Sequence, residues 1–236
     1  MKQFFIDDKK YVSYDIIGKG FPILFLHGNG LSHNYFKKQR DLADQFQLIL
    51  LDTRGHGQSS KTTELNFEMM ADDVERLLAF LKVSSCLVVG HSDGANLAMV
   101  YSRKYPQRIA GLLLNGGNLS LSGLWFPIRL AVRIEQIFFS GLATLSRQFY
   151  QRLAVAKLLS EDVLVSPRDF VDTNYPVIVL VGKWDLIKPS HNQAIAKLYP
   201  KGELVILPRA GHNPAHSQTN HFNQWILALY QKSKEC

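Results

Sequence analysis

Cys86-Leu87-Val88-Val89-Gly90-His91-Ser92-Asp93-Gly94-Ala95-Asn96 is the stretch from which the rest of the chain is read. An apolar run stops at Gly90, a polar group follows, and a segment with small residues begins. Gly90 and Gly94 bracket Ser92 in the spacing G-x-S-x-G. A strand-to-helix turn this tight forces the serine into a strained backbone conformation, and a side chain at either bracketing position would collide with the turn. The hydroxyl of Ser92 then stands at a sheet edge, just before a helix N-terminus. Such a serine is a candidate nucleophile, and the flanking sequence can be searched for what it needs.

Upstream, Phe4-Phe5-Ile6 and Tyr11 to Ile16 have strand composition, and Gly18-Lys19-Gly20 makes a turn. Pro22 to Leu26 is continuously apolar, as a strand buried on both faces of a parallel sheet should be. It ends in His27-Gly28-Asn29-Gly30, which is not a dinucleotide fingerprint because His33 stands where a third glycine is needed. Ser32 is placed to cap a helix whose apolar side includes Tyr35, Phe36, Leu42 and Phe46. Gln47 to Leu51 is the next strand. It runs into Asp52-Thr53-Arg54-Gly55-His56-Gly57-Gln58-Ser59, where Asp52 and Arg54 are read as holding the loop by ion pairs and backbone hydrogen bonds. A helix with Phe67, Met70, Val74, Leu77, Leu78 and Leu81 on its buried side precedes the opening stretch.

Downstream, a helix from Ser92 to about Lys104 ends at Tyr105-Pro106, and Ile109 to Asn115 is another buried strand. Residues 119–170 break the strand–helix alternation. They are read as two or three helices forming a cap, with breaks at Pro127 and Gly141. A membrane-surface amphipathic helix is the alternative. The alternation resumes with strands at Val177 to Val181 and Leu204 to Leu207, a helix near 190–198 between them, and a last helix burying Phe222, Trp225, Ile226 and Leu229. The expected architecture is α/β, a mostly parallel sheet covered on both faces. Its core is residues 1–118 and 171–236, and its cap is residues 119–170.

At 236 residues the chain is long enough for a sizeable core. Its net charge of +7 is not gathered into a Lys/Arg run interleaved with aromatics, so nucleic acid is not an expected partner. Cys86 and Cys236 have no spacing that suits a metal site or a disulfide framework, and neither metal nor cofactor is expected. Asp7 and Asp8 come too early for a signal peptide. No apolar run approaches the ~18 residues of a membrane helix. A soluble cytoplasmic protein with a small-molecule substrate and no stable membrane insertion is expected, with the oligomeric state left open.

Ser92 needs a base, and the base needs a carboxylate to hold its tautomer. Asp185 follows one late strand and His212 the next, so adjacent strand ends can bring them together. The order Ser92, Asp185, His212 matches the order expected for such a sheet. Among the rivals, His56 is read as structural, and His216 and His221 as surface or capping residues. Asn115 stands at a strand end but cannot ionise, and Glu161 and Asp162 lie in the cap.

With these residues in place the chain resembles the α/β-hydrolase superfamily over nearly its whole length. The resemblance rests on five motifs in order: His27-Gly28-Asn29-Gly30, Asp52 to Ser59, Gly90-His91-Ser92-Asp93-Gly94, Gly182-Lys183-Trp184-Asp185 and Gly211-His212. It implies a core of about eight strands with a cap inserted after the sixth. It also implies an oxyanion hole from the backbone N–H groups of Asn29 and Asp93. Leu31, Leu124, Trp125, Phe126 and Leu186 are the candidate pocket residues. The Asp93 side chain is read mainly as favouring the helix N-terminus, with a cationic amine on the substrate as the other reading. The expected activity is serine hydrolysis of carboxylic esters. The alternatives are C–C bond hydrolysis, amino-acyl ester or amide hydrolysis, and a non-catalytic receptor on the same scaffold.

Overall fold

The computed structural model describes residues 1–235, so Cys236 lies outside the described residues. Eight strands form one sheet: β1 (Lys2–Phe5), β2 (Tyr11–Ile17), β3 (Phe21–Leu26), β4 (Phe46–Asp52), β5 (Cys86–His91), β6 (Ile109–Asn115), β7 (Val177–Gly182) and β8 (Gly202–Leu207). They lie in the order β1-β2-β4-β3-β5-β6-β7-β8. β2 runs antiparallel to both β1 and β4, and every later pairing is parallel. Central β5 and β7 bury every residue, whereas edge strand β1 buries none. A parallel strand covered by helices on both faces has no solvent side, hence its unbroken apolar run.

Alternate residues of each strand feed different cores. Leu24 and Leu26 pack with α1 (Phe67–Phe80) and α2 (Asp93–Lys104), while Ile23 and Phe25 pack on the other face with Tyr35, Phe36, Phe222, Ile226 and Leu229. The last three belong to the C-terminal helix. Trp225, expected in the core, is only partly buried against it. Residues His33–Asp44 form 3-10 turns rather than a regular helix. The Ser32 side chain makes no capping bond there, and Phe46 opens β4 instead of closing that helix.

The loop after β4 is held as expected. Asp52 accepts from the His33 N–H at 2.6 Å and the Gln58 N–H at 2.8 Å, and Arg54 donates twice to buried Asp73, at 2.6 and 2.5 Å. Breaking such a buried pair on one side typically costs about 3–5 kcal/mol.

Between β6 and β7 lie two longer helices, α3 (Phe126–Ala143) and α4 (Arg147–Leu158). Neither Pro127 nor Gly141 breaks α3. Pro127 sits in its first turn, where a missing N–H costs nothing, and Gly141 is spanned by an otherwise helix-favouring run. Leu124, Val132 and Ile187 form the small apolar cluster under the cap, beside a bridge between Leu124 and Ile187. Gln136 donates to the Ala156 carbonyl at 2.9 Å, tying α3 to α4. The core closes with α5 (Pro189–Ala196), the short α6 (Pro214–Ser217) and α7 (Thr219–Ser233). Among the described residues no helix is long and apolar enough to cross a membrane.

Candidate active site

Ser92 joins β5 to α2 with φ 53° and ψ −120°, a left-handed conformation that a serine holds only where its surroundings impose it. They do so by close packing. A Cβ on Gly90 would stand 2.4 Å from the Gly94 carbonyl oxygen, and one on Gly94 would stand 2.0 Å from that of Leu26. Only glycine at both positions lets α2 start this close to the ends of β3 and β5. Backbone bonds fix the turn further: Ser92 N–H donates to the Asn115 carbonyl and Ala95 N–H to the Ser92 carbonyl, each at 2.8 Å. Asp93 is the first residue of α2, where an N–H has no acceptor inside the helix.

Asp185 follows β7 and His212 follows β8. The parallel pairing of these strands brings the two side chains together, with His212 Nδ1 2.9 Å from Asp185 Oδ1. A carboxylate only accepts, so Nδ1 carries the proton and Nε2 is left as the basic nitrogen. The Ile187 N–H also donates to Oδ1, at 3.0 Å, which orients the carboxylate. The Asp185 side chain is 2% exposed and that of His212 15%, a buried carboxylate beside a reachable imidazole. Gly116 lets the imidazole sit against the end of β6, since a Cβ there would lie 2.7 Å from His212 Cε1.

Two further side chains enter the site that sequence reasoning did not assign to it. His91, the residue before Ser92, is paired in register with Asn115 across β5 and β6. Asn115 Nδ2 donates to the Leu180 carbonyl at 2.9 Å, leaving its Oδ1 to accept from His91 Nδ1 at 2.9 Å. The His91 ring stacks on Tyr35 at 4.2 Å and lies 4.9 Å from the His212 ring. Burial, then the neighbouring His212, push its pKa well below that of a free histidine, so it is a neutral wall beside the candidate base. The signal available beforehand was the alignment of two strand ends, which only a known register supplies.

The other is the side chain of Asn29. Its amide donates to Asp93 Oδ2 at 2.8 Å and to the Val155 carbonyl of α4 at 2.7 Å, so it bridges core and cap. Asp93 is buried, and burial raises its carboxyl to about 6. The Asn29 hydrogen bond opposes that rise and the charge of Glu161 adds to it. Glu161 itself accepts from the Phe67 N–H at 2.9 Å, at the start of α1, and Asp162 is exposed. His56 is buried with Nδ1 2.9 Å from the Arg54 carbonyl oxygen, His216 lies against Tyr35, and His221 is exposed.

A cavity of about 410 Å³ opens between the Asn29 loop and the cap, walled by Leu31, His56, Phe139, Arg152 and Val155. Of the expected pocket residues, Leu31 lines it. Trp125 instead lines a separate space of about 180 Å³ beside Asp185. Leu124 is buried in the cluster under the cap, and Leu186 is exposed, its carbonyl accepting from the Trp125 N–H at 3.3 Å. Phe126 is 65% exposed and faces solvent, because the face of α3 that carries it turns away from the core. A larger groove of about 850 Å³ along Lys38, Arg209 and His221 touches none of the candidate catalytic residues. Among the described residues there is no cluster of three His, Cys, Asp or Glu side chains fit to hold a metal ion.

Residues 22–134 match the family model for the alpha/beta hydrolase fold. The chain is 22% identical over 228 residues to the sn-1-specific diacylglycerol lipase ABHD11 of Mus musculus, covering 80% of this chain and 74% of that one. A thermophilic esterase from Thermogutta terrifontis superposes with a TM-score of 0.80 at 25% identity, over 99% of each chain. The meta-cleavage product hydrolase CumD of Pseudomonas fluorescens IP01 superposes at 0.77 with 17% identity, over 95% of each, a likeness of fold. Sheet order, strand-to-helix turn and inserted helices agree with these matches: the chain has the alpha/beta hydrolase fold, with a helical cap inserted after its sixth strand.

Proposed function

We propose that the protein is a serine hydrolase that cleaves carboxylic esters of small or medium, partly apolar substrates. The observation that supports this most is the Asp185–His212 hydrogen bond of 2.9 Å at the same sheet edge as the strained Ser92 turn. In this reading Ser92 Oγ attacks the ester carbonyl while His212 Nε2 takes its proton. The negative oxygen that forms is met by the backbone N–H groups of Asn29 and Asp93. Losing one such donor typically costs about 10²–10³ in rate. Collapse of the intermediate expels the alcohol, which leaves with the proton from His212, and the acyl group stays on Ser92. Water, deprotonated by the same imidazole, then releases the acid. Leu31, Phe139, Val155 and Ala156 give the cavity an apolar stretch that suits a partly apolar acyl or alcohol group, beside the polar Lys61, Glu135, Gln148, Gln151 and Arg152.

The test is a set of p-nitrophenyl esters of graded chain length, with fluorophosphonate labelling of Ser92 alongside. Turnover that falls away beyond medium chains, with labelling lost in Ser92→Ala, is the expected result. No turnover at any length despite labelling would reject the ester reading, and no labelling would favour a non-catalytic receptor. The buried Asp93 carboxyl beside Ser92 supports a second reading, hydrolysis of amino-acyl esters. That reading requires amino-acyl esters to outrun their des-amino analogues, and Asp93→Asn to remove the preference.

A further inference from the structure

α3 presents apolar side chains on two sides. Its inner side packs Ile128 and Val132 into the cluster under the cap. Its outer side carries Phe126, Leu130, Ile134, Ile137 and Phe138, between 47% and 72% exposed, with Leu145 just past the helix end at 71%. The spacing 126, 130, 134, 137 and 138 places them in one continuous stripe. Isolated exposed apolar residues are ordinary, whereas a contiguous stripe of this kind marks an interaction surface.

The charges around the stripe identify the partner. α3 and α4 carry Arg129, Arg133, Arg147, Arg152 and Lys157 against the single acid Glu135. None of the five cations is ion-paired among the described residues. Arg129 lies 5.8 Å from the Phe126 ring, which holds a cation at the border of the apolar stripe. A second copy of the chain seated two-fold on this stripe would bring the same arginines from both copies together. An anionic lipid surface meets both needs, with acyl chains for the stripe and headgroups for its rim.

We propose that the outer face of α3 is a docking surface for anionic lipid membranes, bound peripherally with the helix lying in the interface. It requires no step of the proposed ester chemistry. Because α3 and α4 also roof the cavity beside Asn29 through Phe139, Arg152 and Val155, docking would set the cavity mouth near the lipid surface.

The experiment is co-sedimentation of the full chain with phosphatidylcholine vesicles and with vesicles of phosphatidylcholine mixed with phosphatidylserine. Circular dichroism confirms that each variant is folded, and analytical ultracentrifugation follows self-association. The expected result is binding to the mixed vesicles that weakens with salt. Ile134→Glu with Ile137→Glu should weaken it tenfold or more. Arg133→Glu with Arg147→Glu, which leaves the stripe intact, should weaken it by at least about fivefold for each charge removed. Ser92→Ala should bind as the wild type does, so failure of the hydrolase reading leaves this result readable. No binding to mixed vesicles would overturn the proposal, as would equal binding to both vesicle types. So would self-association abolished by Ile137→Glu without vesicle binding, which would assign the stripe to a second copy.

Discussion

α2 and α3 differ most in what holds them. α2 buries ten of its twelve residues, and α3 buries one of eighteen. α2 is wedged between strand ends by small residues, and Ser92, the proposed nucleophile, stands at its start. α3 lies over the site and is tied down mainly by the cluster around Val132, by Gln136, and through α4 by the Asn29–Val155 bond. Rigidity is thus concentrated where Ser92, the proposed nucleophile, is held in a strained conformation. Apolar surface is left outside, where packing in the monomer gives no reason for it.

The largest expected effect tests the α2 side of this contrast. Ser92→Ala should lower ester turnover by about 10⁴-fold or more while the chain stays folded, measured by steady-state kinetics and circular dichroism. A folded variant of normal activity would remove Ser92 from the chemistry. Next comes packing. Gly94→Val drives a side chain into the Leu26 carbonyl, and should cost on the order of 4 kcal/mol or prevent soluble expression. Near-wild-type urea unfolding of this variant would show that the start of α2 is looser than its contacts require.

A smaller effect concerns the carboxyl next to Ser92. Burial raises Asp93 from 3.8 to about 6, so the folded chain keeps a proton that the unfolded chain has already released. The stability this supplies is present in full below about pH 4 and is lost as pH rises through about 6. Asp93→Asn should therefore gain on the wild type by roughly 2 kcal/mol between pH 4 and 7, read from thermal unfolding across that range. Parallel curves would mean that the carboxyl is better solvated than its burial implies. The smallest effect lies in α3. A Cβ on Gly141 meets nothing within 4 Å, so Gly141→Ala should stabilise the chain by about 0.5–1 kcal/mol and leave ester turnover unchanged. A loss of stability there would show that α3 has a packed partner at that position.

Much of the core was legible because its signals are local. Ile109 to Asn115 is read with both ends correct, since an apolar run bounded by polar residues has few alternatives. α2 ends at Lys104 because Tyr105-Pro106 cannot continue a helix. The 3-10 turns of His33–Asp44 were not legible. Their apolar residues fit a helical period, but the chain there is fixed by its contacts with β4 and by the Asp52–His33 bonds. Nor was the continuity of α3 legible: Pro127 and Gly141 are breakers by propensity, yet one falls in the first turn and the other in the last.

By itself the sequence determined which residues stand at strand ends, and so the candidates Ser92, Asp185, His212 and Asn29. Strand, turn and glycine signals depend on a few neighbouring residues. Only the tertiary structure decided what those residues touch. Strand register joins His91 to Asn115 and Asp185 to His212, and the seating of the cap on the core gives the Asn29 amide both Asp93 and Val155 as partners. The same seating turned Phe126 and the rest of its stripe outward. Hydrophobicity makes a side chain able to be buried, but which face of a helix finds a partner is settled by the elements packed beside it.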